Sequence, residues 1–157
     1  MRSWSDLNIK AIIQTIGFLL LIEGLFMLTG MPFSLYYCGK CYALLISGLI
    51  TGSVGAVLWL TMRKRAEKSI GKREGYIIVA ISWIIISLFG TLPFIISGAI
   101  PNFTDAFFET MSGFTTTGAT ILTDIESIPK GILFWRSMTH WIGGMGIIVL
   151  SVAILPI

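Results

Sequence analysis

Long charge-free stretches dominate this chain and leave it few ways to fold. Residues 41–62 carry no charge over 22 positions, and residues 75–104 carry none over 30. Residues 11–30 are apolar apart from interruptions such as Gln14 and Glu23, and residues 132–157 form a further apolar run. About 20 residues of helix cross the hydrocarbon core of a bilayer. Backbone polar groups there find no water and must satisfy one another, which helices do within a single segment. The chain is 55% hydrophobic and 12% charged, with a mean hydropathy of +0.87, whereas a soluble domain carries about a quarter charged residues. The predicted fold class is an all-α integral membrane protein. Its expected lipid-bilayer spans are residues 11–30, 41–62, 76 to about 98, and 132–157, with a bend at Pro93. The first run is too long for a removable signal peptide and lacks a small-residue cleavage site. Basic and aromatic residues are not interleaved, so nucleic acid is not an expected partner.

Charge placement predicts orientation. Residues 63–74 hold six basic side chains (Arg63, Lys64, Arg65, Lys68, Lys72 and Arg73) against two acidic ones. Short basic loops stay in the cytoplasm, so the N-terminus is expected inside, residues 29–40 outside and the basic linker inside. A lipid-headgroup site is the alternative reading of these charges. The expected division is a transmembrane helix pair over residues 1–62, a linker over 63–75 and a third unit over 76–157. In the pair, Gly48, Gly52 and Gly55 provide small-residue spacing for close helix contact. Cys38 and Cys41 form one CxxC. A metal site would need two more ligands nearby and a redox site a thioredoxin-like context. Two small residues at a helix entrance, or a strained outward-facing disulfide, are the remaining readings.

The third unit contains a segment that does not span. Residues 104–113 read as a short helix, and Thr115-Thr116-Thr117-Gly118-Ala119-Thr120 follows, with the next apolar run beginning at Ile132. A short helix and a small-residue strand between two spans reads as a re-entrant pore loop, stable at membrane depth only when buried in protein or lining a wet cavity; an extracellular Thr/Gly turn is the alternative. Backbone carbonyls of such loops replace the hydration shell of potassium. Thr104 or Asp105 is expected to cap the helix and Gly113 to end it, so that its last carbonyls favour a cation. Gly118 is free to adopt backbone angles closed to other residues, and alternation of such angles turns successive carbonyls toward one axis. The threonine hydroxyls are expected to hold the loop to its scaffold.

Asp105, Glu109, Asp124 and Glu126 lie on the outer side and are expected to concentrate cations at the mouth, with capping and solvation as the alternative. Arg136 and His140, four apart near the outer end of the last span, are candidates because ionisable groups in a membrane are costly. Arg136 could brace the loop backbone, pair with an outer acid or snorkel. His140, the one histidine, suits a structural hydrogen bond. Gly143, Gly144 and Gly146 allow close approach by the pore helix. Glu23 has no partner assignable from sequence.

The stretch DAFFETMSGFTTTGATILTDIESIPKGILFWRSMTHWIGGMGIIVLSVAILP, residues 105–156, resembles the first pore repeat of the TrkH branch of the Trk/Ktr/HKT potassium transporter superfamily. The helix pair before the basic linker resembles the extra N-terminal pair that separates TrkH proteins from the shorter KtrB ones. The resemblance implies four helix–loop–helix repeats around one potassium path, with filter carbonyls from Thr116, Thr117, Gly118 and Ala119, and with Thr115 counted in the filter. Glycine rather than serine at 118 is similar to potassium-selective members. It further implies a homodimer of the full-length protein, a TrkA-like cytosolic nucleotide-binding partner and a bacterial inner membrane. Potassium would be the transported ion, without an organic cofactor. This chain carries one repeat where the family needs four, and it stops at Leu155-Pro156-Ile157 without a polar flank. The expectation is therefore a fragment whose remaining three repeats lie elsewhere in a longer product. A small homotetrameric cation channel and a non-conducting scaffold are the alternatives. An enzyme is not expected, because no nucleophile stands with a matching base.

Overall fold

The computed structural model describes residues 8–37, 41–63 and 72–154. Cys38 and most of the basic linker lie outside the described residues, as does the side chain of Cys41. The described residues form helices and connecting turns without strands: α1 (Ile9–Thr29), α2 (Met31–Tyr36), α3 (Cys41–Arg63), α4 (Lys72–Gly90), α5 (Leu92–Ser97), α6 (Phe103–Phe114) and α7 (Lys130–Ile154). Three segments are long and apolar enough to cross a membrane: Ile9–Tyr36, Tyr42–Met62 and Gly75–Ser97. With 25 residues, α7 is about 37 Å long at 1.5 Å per residue. The fold is thus a multi-pass membrane protein. Leu25, Val57, Leu60 and Ile84 are exposed, as suits side chains facing lipid.

The helix pair α1–α3 packs on glycine. A Cβ on Gly24 would stand 2.7 Å from the Gly52 nitrogen and 2.8 Å from the Gly48 carbonyl oxygen, and one on Gly55 would stand 2.7 Å from the Gly17 oxygen. The two backbones therefore touch where side chains would hold them apart. The α1 side of this stripe, Gly17 and Gly24, is not legible from the α3 spacing alone. Gly24→Val is expected to overpack this contact, at a cost of about 1–3 kcal/mol. Gly52→Ala is expected to be tolerated, since a Cβ there meets nothing within 4 Å. Thermal unfolding of the detergent-purified protein checks both, and equal melting of the two variants would rule out the close contact.

The third span is not one bent helix. It ends at Gly90 and restarts at Leu92, with Pro93 in the first turn of α5. Pro93 lacks the N–H that would bond back to the preceding turn, so the ladder opens here. The Phe94 N–H, which a continuous helix would aim at the Gly90 carbonyl, donates to the Thr91 carbonyl instead, and the Gly90 carbonyl accepts from the indole Nε1 of Trp135 at 3.0 Å. The Thr91 carbonyl also accepts from the Ile95 N–H. Gly98, in the left-handed region at φ 73°, closes α5 and turns the chain toward α6. Likewise Pro32 begins α2 as well as following α1. Phe33 of α2 stacks on Phe134 of α7 at 4.4 Å, so this short helix docks on the last span. Phe94, Phe114, Ile132 and fully buried Trp135 form the core under the pore helix.

Candidate functional site

The pore helix α6 runs one residue further at each end than expected. Its cap is Asn102, not Thr104 or Asp105: the Asn102 side chain accepts from the Thr104 N–H at 3.1 Å. Asp105 stays in the first turn, at the positive end of the helix. Gly113 does not end the helix. It is buried one residue before the last turn closes, where a Cβ would collide with the Thr139 hydroxyl of α7.

Termination comes from Thr116. The Thr116 N–H donates to the Gly113 carbonyl at 2.9 Å and the Thr117 N–H to the Ser112 carbonyl at 3.0 Å. Around the Thr115 cap this is the paired Schellman pattern, whose left-handed position usually belongs to glycine. Here Thr116 holds it at φ 54°. A β-branched residue in that region is a backbone outlier, with a strain of order 1–3 kcal/mol that its surroundings must sustain. The same bonds, with Thr115 N–H to Met111 O at 2.9 Å, engage three of the helix's last carbonyls. A cation in front of this end therefore meets the helix dipole rather than a full set of bare oxygens.

Beyond Thr116 the chain runs without regular structure, and Gly118 takes φ 76°. Left-handed angles thus occur at 116 and 118 but not at Thr117 between them. No donor among the described residues reaches the carbonyls of Thr116, Thr117 or Gly118. The Ala119 carbonyl differs: it accepts from the Ser112 hydroxyl at 2.6 Å. That oxygen is tied to the scaffold, which separates Ala119 from its three predecessors. Residues 115–120 are all exposed in this chain. The hydroxyls of Thr115 and Thr117 share a hydrogen bond of 2.8 Å.

Glu109 anchors the loop. It is buried, and its oxygens accept from the Thr120 hydroxyl at 2.9 and 3.0 Å and from the Ile121 N–H at 3.1 Å. Arg136 Nε completes the set at 2.6 Å. Glu109 is therefore not a free carboxylate at the mouth. Of the readings of Arg136, pairing with an outer acid is the one the structure shows, and the acid is Glu109, 27 residues away in sequence. Asp124 caps a turn, accepting from the N–H groups of Glu126 and Ser127 at 3.2 and 3.3 Å; it and Glu126 are exposed. His140 Nδ1 lies 3.0 Å from the Arg136 carbonyl oxygen, within its own helix.

The glycines of α7 have separate neighbours. A Cβ on Gly143 would strike the Phe114 carbonyl of the pore helix, whereas one on Gly144 would lie 3.8 Å from Thr116 Cγ2. Gly146 faces the Trp83 ring of α4 at 3.6 Å, not the pore helix. Among the described residues no three His, Cys, Asp or Glu side chains gather as a metal site.

A family model described as TrkH, cation transport protein, matches residues 41–157. The chain belongs to the TrkH family. That is a family of cation transporters rather than of enzymes. Among its curated relatives, the Trk system potassium uptake protein TrkH of Salmonella typhimurium is 44% identical over 154 residues, covering 96% of this chain and 32% of the relative. The protein of the same name from Escherichia coli K12 is 43% identical with the same coverage. The crystal structure of the potassium transporter TrkH from Vibrio parahaemolyticus superposes with a TM-score of 0.88 at 38% identity, over 96% of this chain and 32% of that one. The chain thus spans about a third of the length of the TrkH proteins it matches.

Proposed function

We propose that this chain supplies one pore repeat of a TrkH-type potassium uptake protein, and that Thr116, Thr117 and Gly118 present backbone carbonyls to the ion. The observation that carries this reading is the pair of left-handed angles at 116 and 118 flanking Thr117, with all three carbonyls left unengaged. Alternation of this kind directs neighbouring carbonyls to one side, where they stand in for ion hydration. Thr115 and Ala119 border the set. Three further repeats of the full-length protein complete the ring on the exposed face of the loop. Membrane potential supplies about 2.3 kcal/mol per charge per 100 mV for inward movement. Asp105, Asp124 and Glu126 remain the acids able to raise cation concentration at the outer mouth. A homodimer, a TrkA-like nucleotide-binding regulatory subunit on the inner face, an inner-membrane location and a cytoplasmic N-terminus belong to the same proposal. The basic linker supports that orientation.

Gly118→Ser in the full-length protein tests it. A side chain in the left-handed region costs about 1–2 kcal/mol, and 1.4 kcal/mol is about a tenfold change in an equilibrium. The strain acts on the loop whichever ion is bound, so the expected result is roughly a tenfold fall in potassium uptake, read in potassium-uptake-deficient cells on low potassium. Unchanged uptake would take Gly118 out of the filter and favour a non-conducting role for this repeat.

A further inference from the structure

Glu23 is the buried ionisable group that the filter does not use. It lies within the first span, is 4% exposed, and among the described residues neither carboxyl oxygen has a hydrogen-bond partner. Its position is specific. A Cβ added to Gly90 would stand 3.1 Å from Glu23 Oε1, 2.6 Å from Thr110 Cγ2 and 3.0 Å from Phe114 Cε2. The carboxyl therefore sits where α4 breaks, next to the pore helix, on the glycine whose carbonyl holds Trp135. An ionised carboxylate without donor or counter-charge is strongly disfavoured in such surroundings, while the neutral acid needs only an acceptor.

Among the described residues, the groups packed around it offer no counter-charge; Lys10 of its own helix and Lys130 of α7 are exposed. Residues 42–62 of α3, 75–90 of α4 and all of α5 contain no charged side chain. On α6, Asp105 lies in the first turn and Glu109 is held by Arg136. On α7, the His140 ring engages the Arg136 carbonyl. The tyrosines of α3 and α4, Tyr42 and Tyr76, are exposed near the helix starts.

We propose that Glu23 is a proton-binding site beside the pore helix. With the proton bound, the carboxyl packs against Gly90 and the α4–α5 break stays seated on α6. Loss of the proton puts a bare charge in that contact and loosens the pore helix, so ion flux falls as pH rises. The flux consequence rests on the potassium-uptake reading; the proton site itself does not.

The test uses the full-length protein. Rubidium flux into proteoliposomes is followed across pH, and infrared difference spectra of the purified protein report protonated carboxyl groups. Glu23→Gln, an uncharged near-isostere, is expected to conduct and to lose the alkaline decline seen in the wild type. It is also expected to lose one protonated-carboxyl band, which Glu23→Asp retains at a shifted position. A Glu23→Gln protein that keeps the wild-type pH profile overturns the proposal. So does a protonated-carboxyl spectrum identical in wild type and Glu23→Gln. If the wild type carries no flux at any pH, the uptake reading fails, and the infrared band still decides the proton site.

Discussion

Glu109→Ala is expected to destabilise the protein by about 3–5 kcal/mol, the usual cost of removing one partner of a buried ion pair. Two effects combine. Arg136, whose side chain is only 19% exposed, is left as a charge without its partner. The Thr120 hydroxyl and Ile121 N–H lose their acceptor, which frees the return limb of the loop from the pore helix. Glu109→Gln separates these effects, because its amide oxygen keeps an acceptor for the loop while the charge on Arg136 stays uncompensated. A smaller loss is expected for Gln than for Ala. Adding Arg136→Leu to Glu109→Ala is expected to recover part of the loss, since contacting residues are not additive. Thermal unfolding of the purified full-length protein measures all three. A Glu109→Ala protein within about 0.5 kcal/mol of the wild type, the range of ordinary surface changes, would show that Glu109 is not the anchor.

Gly143→Ala has the second largest expected effect. The new methyl would enter the Phe114 carbonyl, and neither helix backbone can move aside as a flexible side chain would. Overpacking of this kind costs about 1–3 kcal/mol, and here it pushes α7 off the C-terminal end of the pore helix. Gly144→Ala makes the control. It is the next residue on the same helix, with the same gain in helix propensity, but its methyl would make ordinary contact with Thr116 at 3.8 Å. Gly143→Ala is expected to melt earlier and to lose potassium uptake, with Gly144→Ala close to the wild type. Matching behaviour of the two variants would remove the argument from close approach.

Parts of the site were legible because they depend on neighbours in the chain. The short helix between two spans, the special angle at Gly118 and the glycine-rich middle of the last span all follow from local composition. The left-handed angle at Thr116 was missed because threonine is the wrong residue for it. Its strain is visible only once the amides of Thr116 and Thr117 are seen to close the pore helix. Glu109 was misplaced for a different reason: a carboxylate four residues from Asp105 resembles a solvated face until Arg136 folds over it.

Taken alone, the residue order determined that this chain lives in a membrane, where its helices run and where a non-spanning loop interrupts them. Those outcomes follow from apolar run length and from the need to satisfy each backbone group within its own segment. Only the tertiary structure decided which acid is buried against Arg136, which glycine meets the pore helix and which carbonyls stay unengaged. Each depends on a contact between segments distant in sequence, and the geometry of such contacts is set by packing rather than by local pattern.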